Sequence, residues 1–202
     1  MLRVGLTGGY ATGKSFVGRE LEALGCRLIL ADNLGHDVLL PDSDGYEAAI
    51  HLLGPQIVNS DGLIDRKKVA NVVFRDPQLL DRLSEIVHPL VRARETALVE
   101  QYRQEDPNAV IVTEAAILIE TGRHKSFDCL IVTACSAEVQ ISRAMKRDGL
   151  TREEVLERIS RQIPLEEKRR YAHYVVETDG PKENTITQVR AIYDDLRRFA
   201  QP

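Results

Sequence analysis

The chain has 202 residues, enough for one substantial core with room for a small inserted subdomain. Hydrophobic residues make up 43% and charged residues 29%, and 27 Lys+Arg against 31 Asp+Glu leave a formal net charge of −4. That balance argues against a dedicated nucleic-acid binder, though a local basic cleft for a small anion remains compatible with it.

No stretch reaches the ~20 consecutive apolar residues of a membrane span. The N-terminal "MLRVGLTGG" meets glycine too early for a signal peptide. Cys26, Cys129 and Cys135 form no CxxC pair and lie among apolar residues, which favours reduced core thiols over a metal or redox site. The expected location is the cytoplasm, with no membrane and no nucleic-acid partner.

"RVGLT" (3–7) reads as a short strand closed by glycines. From Lys14 onward, Val17, Leu21 and Leu24 fall on one helical face, and Gly25 stops the helix. "CRLILA" (26–31) is the next strand and ends at Asp32. Strand, glycine loop, helix and strand make a βαβ unit, so these strands should be parallel.

The middle of the chain has turn-rich stretches at 39–47 and 58–69 and no strong strand signal from 33 to 108. Leu79, Leu83, Ile86 and Val87 form a helical stripe expected to end near His88-Pro89, and another helix should follow to about Tyr102. This region reads as a helical insertion beside the sheet.

"AVIVT" (109–113) and "CLIVTA" (129–134) are the continuous apolar runs expected of strands buried on both faces. Ser136 is placed to cap a helix running to about Arg147, and Thr151 with Glu154 forms a capping-box pattern. Pro164 interrupts, "YVVE" (174–177) reads as a last strand, and Ile186, Val189, Ile192, Leu196 and Phe199 stripe a C-terminal helix. The predicted fold class is α/β, with a five-stranded parallel sheet flanked by helices.

Gly8-x-x-x-x-Gly13-Lys14-Ser15 matches the phosphate-binding loop, in the strand–loop–helix setting the motif requires. Its backbone N–H groups and the following helix N-terminus suit a phosphate chain. Lys14 would reach the β- and γ-phosphates, and Ser15 would ligate Mg²⁺. Gly8, Gly9, Ala11, Thr12, Gly13, Lys14, Ser15 and Phe16 are therefore the candidate nucleotide-binding residues. The chain lacks a guanine-reading Asn/Thr-Lys-x-Asp segment, and a small-molecule kinase fits its length best.

Asp32 at the carboxyl end of a strand could accept a proton from an acceptor hydroxyl, or could simply cap the next helix. Arg143 and Arg147, four apart on one helix face, could clamp a triphosphate or form a solvated basic face. Lone histidines such as His36 and His88 are more often structural, and neither belongs to a metal-binding cluster.

The blocks "VGLTGGYATGKS" (4–15), "ADNLGHDVLLP" (31–41), "DGLIDRKKVANVVFRD" (61–76), "HPLVR" (88–92), "QISRAMKRDGLT" (140–151), "RISRQ" (158–162) and "EKRRYAHYVV" (167–176) together resemble the dephospho-coenzyme A kinase family. Any single block is weak, but the set keeps the family order over nearly the whole chain. The resemblance implies the P-loop kinase fold and ATP-dependent phosphorylation of the ribose 3′-hydroxyl of dephospho-CoA, the last step of coenzyme A synthesis. ATP and dephospho-CoA would be the partners, Mg²⁺ the cofactor, and no obligate protein partner is implied.

The same resemblance implies a core over about 1–32, 109–139 and 171–202, a CoA-binding helical region over about 33–108 and a lid over about 140–170. Asp32 becomes the catalytic base, with Lys14 and Arg143 as catalytic partners and Arg147 as a second phosphate clamp. His36, Phe74, His88, Pro89, Arg92 and Glu120 become substrate-binding residues. A kinase for another small alcohol or nucleotide, or a nucleotide-gated binding protein, are the alternatives.

Several positions depart from the family pattern. Its loop commonly reads Gly-Gly-Ile-Gly-Ser-Gly-Lys-Ser, whereas Tyr10, Ala11 and Thr12 stand in the middle here. Ala11 should therefore adopt a backbone conformation open to a residue with a side chain. Ala116 and Ile119 replace a Pro and a Phe before Glu120, and His173 and Thr178 replace an Asp and an Asn near the adenine pocket. Glu114 could face Mg²⁺ or the acceptor, or merely end a strand.

Overall fold

The structure, a computed structural model, describes residues 1–73 and 76–201. In chain order the elements begin with β1 (Leu2–Gly8), α1 (Lys14–Ala23), β2 (Arg27–Leu30), α2 (Ala31–Asp37) and α3 (Asp44–Leu53). Next come α4 (Arg66–Val73), α5 (Pro77–Glu105), β3 (Val110–Glu114), β4 (Cys129–Ala134) and α6 (Ala137–Asp148). The chain closes with α7 (Arg152–Ser160), α8 (Leu165–Arg169), β5 (Tyr174–Glu177) and α9 (Lys182–Ala200). It divides into two compact units, Met1–Leu30 with Gln101–Pro202, and Ala31–Glu100.

The first unit is built on a five-stranded sheet in the order β2-β3-β1-β4-β5, with every pairing parallel. β1 is central: Val4 pairs with Val112 of β3 on one side and Cys129 of β4 on the other. Val4 and Leu6 are fully buried in a cluster with Val17 and Leu21 of α1 and Val189 and Leu196 of α9. Each such aliphatic side chain contributes about 1.5–3 kcal/mol relative to an exposed one. Alternation sends Gly5 to the other face, where an added Cβ would meet Leu130 at 2.9 Å and Leu118 and Phe127 at 3.1 Å. Close packing thus explains a glycine inside this strand.

The helices that follow β4 begin and end as their local chemistry dictates. α7 carries a complete capping box, with Thr151 accepting from the Glu154 N–H and the Glu154 carboxylate accepting from the Thr151 N–H. α6 stops at Gly149, in the left-handed conformation at φ 67. Ser136 does stand at the α6 N-cap, but it makes no side-chain capping bond. Its hydroxyl and N–H both donate to Asp179 Oδ1, at 2.6 and 2.8 Å.

The three cysteines are buried, at 3%, 7% and 4% exposure for Cys26, Cys129 and Cys135. Burial pushes the Cys26 thiol up to about 12 and the Cys129 thiol up to about 11, so both are protonated and unreactive at neutral pH.

The second unit is helical, around a core of Ala49, Leu53, Ile57, Val73 and Leu83. Ser43 caps α3 by accepting from the Tyr46 N–H at 3.3 Å. The turn after Val58 is closed by Asn59, whose Oδ1 accepts from Asp61 and Leu63, both at 2.9 Å. Phe74, an expected substrate-binding residue, lies outside the described residues.

One helix boundary is corrected. The break expected at His88-Pro89 is absent, and α5 runs through Pro89 without interruption. A proline inside a helix removes one N–H donor and crowds the preceding turn, at a cost of about 3 kcal/mol. Buried anchors lie on both sides of it, Leu83 before and Val91 and Glu95 after, at 9%, 9% and 3% exposure. Packing of this face outweighs the local penalty.

Candidate active site

The phosphate loop lies between the end of β1 and the start of α1, on the central strand of the sheet. Strand order reverses around β1, and in open α/β sheets such a switch point holds the ligand crevice. Gly8 is dictated by space. A Cβ there would lie 2.5 Å from the Thr133 carbonyl oxygen and 2.7 Å from Thr12 Oγ1. Gly13 caps α1 in the left-handed region, at φ 89.

Ala11 lies in that region too, at φ 58. The conformation is open to an alanine only at a cost of about 1–2 kcal/mol, which a glycine would not incur. This is the physical price of the departure noted in the loop sequence.

The inner part of the loop is tied down by threonine hydroxyls. Thr12 is fully buried, and its Oγ1 lies 2.8 Å from the Gly9 carbonyl and 2.7 Å from Thr133 Oγ1. Its hydroxyl therefore faces inward. Lys14 Nζ donates to the Gly9 carbonyl at 3.0 Å, which folds the ammonium back along the loop. Ser15 Oγ donates to Glu114 Oε1 at 2.7 Å, at the carboxyl end of β3. Glu114 is 8% exposed, and its Oε2 is buried with no hydrogen-bond partner among the described residues. Two hard oxygen groups side by side, one a carboxylate with an unsatisfied atom, suit a divalent cation.

Arg143 and Arg147 have separate roles in the structure. Arg143 donates to Thr178, at 2.8 Å to Oγ1 and also to the carbonyl oxygen. Thr178 in turn reaches the Thr12 carbonyl at 2.9 Å, so Arg143 is linked to the loop through one buried threonine. Arg147 forms a fork with its neighbour Asp148, at 2.8 and 2.9 Å, and lies 5.2 Å over the Tyr10 ring. The hydrogen bonds from Arg147 and then Tyr10 hold the Asp148 carboxyl down at about 2. Phe16 is half-buried with Lys182 Nζ 5.5 Å over its ring.

Glu120 ion-pairs with Lys168, at 2.6 Å from Nζ to Oε1. Lys168 was not legible as a site residue. It sits in a run of charged residues, yet it is completely buried, and its ammonium also reaches the carbonyls of Ala116 at 3.1 Å and Gly8 at 3.4 Å. Three acceptors thus match three ammonium donors beside the phosphate loop. A cavity of about 520 Å³ opens next to Gly9, lined by Ser136, Gln140, Ile163, Arg169 and Asp179 among others.

In the second unit, Asp32 and His36 line one cavity of about 370 Å³ with Leu39, Leu63 and Arg66. Asp32 is the second residue of α2, inside its first turn, so it is not the N-cap. Arg66 was missed in the sequence because it falls in an ordinary-looking Arg-Lys-Lys run. His88, Pro89 and Arg92 are exposed on α5 and are not among the residues lining that cavity.

A family model described as dephospho-CoA kinase matches residues 2–184. A dephospho-CoA kinase of Syntrophus aciditrophicus is 36% identical over 196 residues, covering 97% of this chain and 83% of the relative. A crystal structure of a Thermus thermophilus protein superposes with TM-score 0.80 at 33% identity, covering 96% of this chain and 97% of that one. The dephospho-CoA kinase structure from Campylobacter jejuni, at 23% identity, shares the fold with TM-score 0.74 over 98% of each chain. A shikimate kinase from Acinetobacter baumannii shares the P-loop kinase fold more distantly, with TM-score 0.50 and 16% identity. On the phosphate loop, the parallel sheet and a match spanning nearly its whole length, the chain belongs to the dephospho-CoA kinase family.

Proposed function

We propose that this kinase carries out its family's reaction, transfer of the ATP γ-phosphoryl group to the ribose 3′-hydroxyl of dephospho-CoA, through the residues assigned below. The observation that carries the reading is the glycine loop on central strand β1, with Lys14 and Ser15 opening α1. Gly8 to Phe16 bind the triphosphate through backbone N–H groups, and Lys14 neutralises charge on the β- and γ-phosphates. Arg143 and Arg147 add positive charge from α6, which makes the 140–170 region the natural lid. Ser15 and Glu114 are the residues that would hold Mg²⁺, which supplies charge neutralisation at the phosphates when bound.

Asp32 is assigned as the general base. It takes the proton of the acceptor hydroxyl as that oxygen bonds to the γ-phosphorus, and the bond to the bridging oxygen breaks to release ADP. The Asp32–His36–Arg66 cavity belongs to the acceptor, with Arg66 suited to one of its phosphates. His88, Pro89 and Arg92 extend that acceptor region, and Glu120 acts by fixing Lys168 beside the loop. No helix of the described residues is long and apolar enough to cross a membrane, and a cytoplasmic setting suits the substrates.

The test is ADP release over a panel of acceptors: dephospho-CoA, adenosine, shikimate and gluconate. Turnover specific to dephospho-CoA, with 3′-phosphorylated product by mass spectrometry, is expected. Turnover of another acceptor in its place overturns the assignment, and ATP binding without any product would leave a nucleotide-binding protein.

A further inference from the structure

Tyr10 stands at the outer bend of the phosphate loop, where the family pattern has an aliphatic residue. An isoleucine could supply only apolar contact, and Tyr10 keeps that contact. It packs beside Ala11 on Ile141 and Ala144 of α6 and Val155 of α7. The aromatic ring and hydroxyl add something an aliphatic side chain cannot. The hydroxyl donates to Asp148 and accepts from Arg158 at 3.0 Å. The ring carries two guanidinium groups, Arg147 at 5.2 Å and Arg158 at 5.7 Å from its centroid.

One loop side chain therefore gathers two cations and one anion from α6 and α7. The cluster has a net positive charge and is attached to the segment that wraps a polyanion. Arg147 alone would need only Asp148, its sequence neighbour, and that pair would leave it unconnected to the loop. Arg158, on α7, reaches the loop by donating to the Tyr10 hydroxyl, 148 residues away in sequence. The aromatic face favours Arg because its planar guanidinium can stack while its N–H groups remain available to other acceptors.

We propose that Tyr10 is a positioning residue, which holds Arg147 and Arg158 against the phosphate loop and so pre-sets the cationic side of the ATP site. The proposal rests on the reading above, that Arg147 serves the triphosphate. Tyr10 makes no chemical step. It lowers the rotamer freedom that two long side chains would otherwise lose when ATP binds.

The experiment is a double-mutant cycle of Tyr10→Ile and Arg147→Ala on the full chain, with Tyr10→Phe as the conservative variant. Steady-state KM and kcat are measured for ATP and for dephospho-CoA, alongside thermal unfolding. Tyr10→Ile should raise the KM for ATP about 3- to 10-fold, the scale of lost cation–π and hydrogen-bond contacts, while the acceptor KM stays unchanged. Tyr10→Phe keeps the ring and should recover part of the loss. With Arg147 already replaced, Tyr10→Ile should add less than about twofold.

An unchanged KM for ATP in Tyr10→Ile, while Arg147→Ala is impaired, overturns the proposal and leaves the assignment of Arg147 standing. Equal effects of Tyr10→Ile in both backgrounds overturn it too. If Arg147→Ala binds and uses ATP normally, the assignment of Arg147 falls, and the proposal with it.

Discussion

The two halves of the phosphate loop obey different constraints. The inner half, Gly8 with Thr12 to Ser15, is fixed by space and by hydroxyls: no Cβ fits at Gly8, and Thr12 is fully buried. The outer half, Tyr10 and Ala11, faces α6 and α7 and tolerates both a large aromatic ring and a left-handed alanine. The contrast teaches that the phosphate cradle is set by backbone geometry, while the bend beyond it is set by its partners in distant helices. Variation between relatives can enter at the bend without disturbing the cradle.

The contrast breaks most sharply at Lys14. Lys14→Ala should lower kcat/KM for ATP by roughly 100-fold or more, the scale of losing one preorganised charge at the transferring group. A near-normal rate would show that the inner half is not a phosphate site. Gly8→Ala comes next: its methyl would meet the Thr133 carbonyl at 2.5 Å, so a loss of about 1–3 kcal/mol in denaturant-melt stability is expected. Thr12→Val should cost about 1–3 kcal/mol by removing one donor from the Gly9 carbonyl and the buried hydroxyl partner of Thr133, and the double change with Thr133→Val should cost less than the two single changes added.

The outer half should respond in the opposite direction. Ala11→Gly relieves a left-handed alanine but adds unfolded-state freedom and removes a packed methyl, so a gain of about 1 kcal/mol or less is expected in the same melts. A clear loss would mean that the Ala11 methyl outweighs its backbone cost. The smallest effect is at low pH. Asp148 is held down at about 2 from its ordinary 3.8, so its contribution is complete above pH 3.8 and lost as pH falls through 2. Carboxyl NMR titration should find this low value, and Tyr10→Phe should move it upward; an unmoved value would show that the neighbouring guanidinium groups set it without the hydroxyl.

Local pattern carried the sheet. The strands were legible as short apolar runs, β1 closed by glycines and β2 followed by Asp32, and the βαβ reading of the first 31 residues follows from the same signals. Pro89 was misread because a helix boundary rule looks at one residue, while Leu83, Val91 and Glu95 hold the helix through burial seen only in three dimensions. In the site, Lys14 and Ser15 follow from spacing. The Tyr10 cluster does not, since its hydroxyl bridges 138 residues to Asp148. Lys168 is hidden for a related reason: among Glu, Lys and Arg neighbours it reads as solvated, and only the closed fold removes it from water.

That buried lysine has a consequence for how the sequence can drift. Lys168 and Glu120 neutralise one another at a site where Glu120 Oε2 is buried with no hydrogen-bond partner among the described residues. Losing either one alone strands a charge away from water, which is far worse than losing both. The two positions, 48 residues apart, should therefore be inherited as a unit, changing together or not at all. The ammonium also reaches the Gly8 carbonyl, so the pair ties α8 to the first turn of the phosphate loop through a backbone acceptor that no substitution removes.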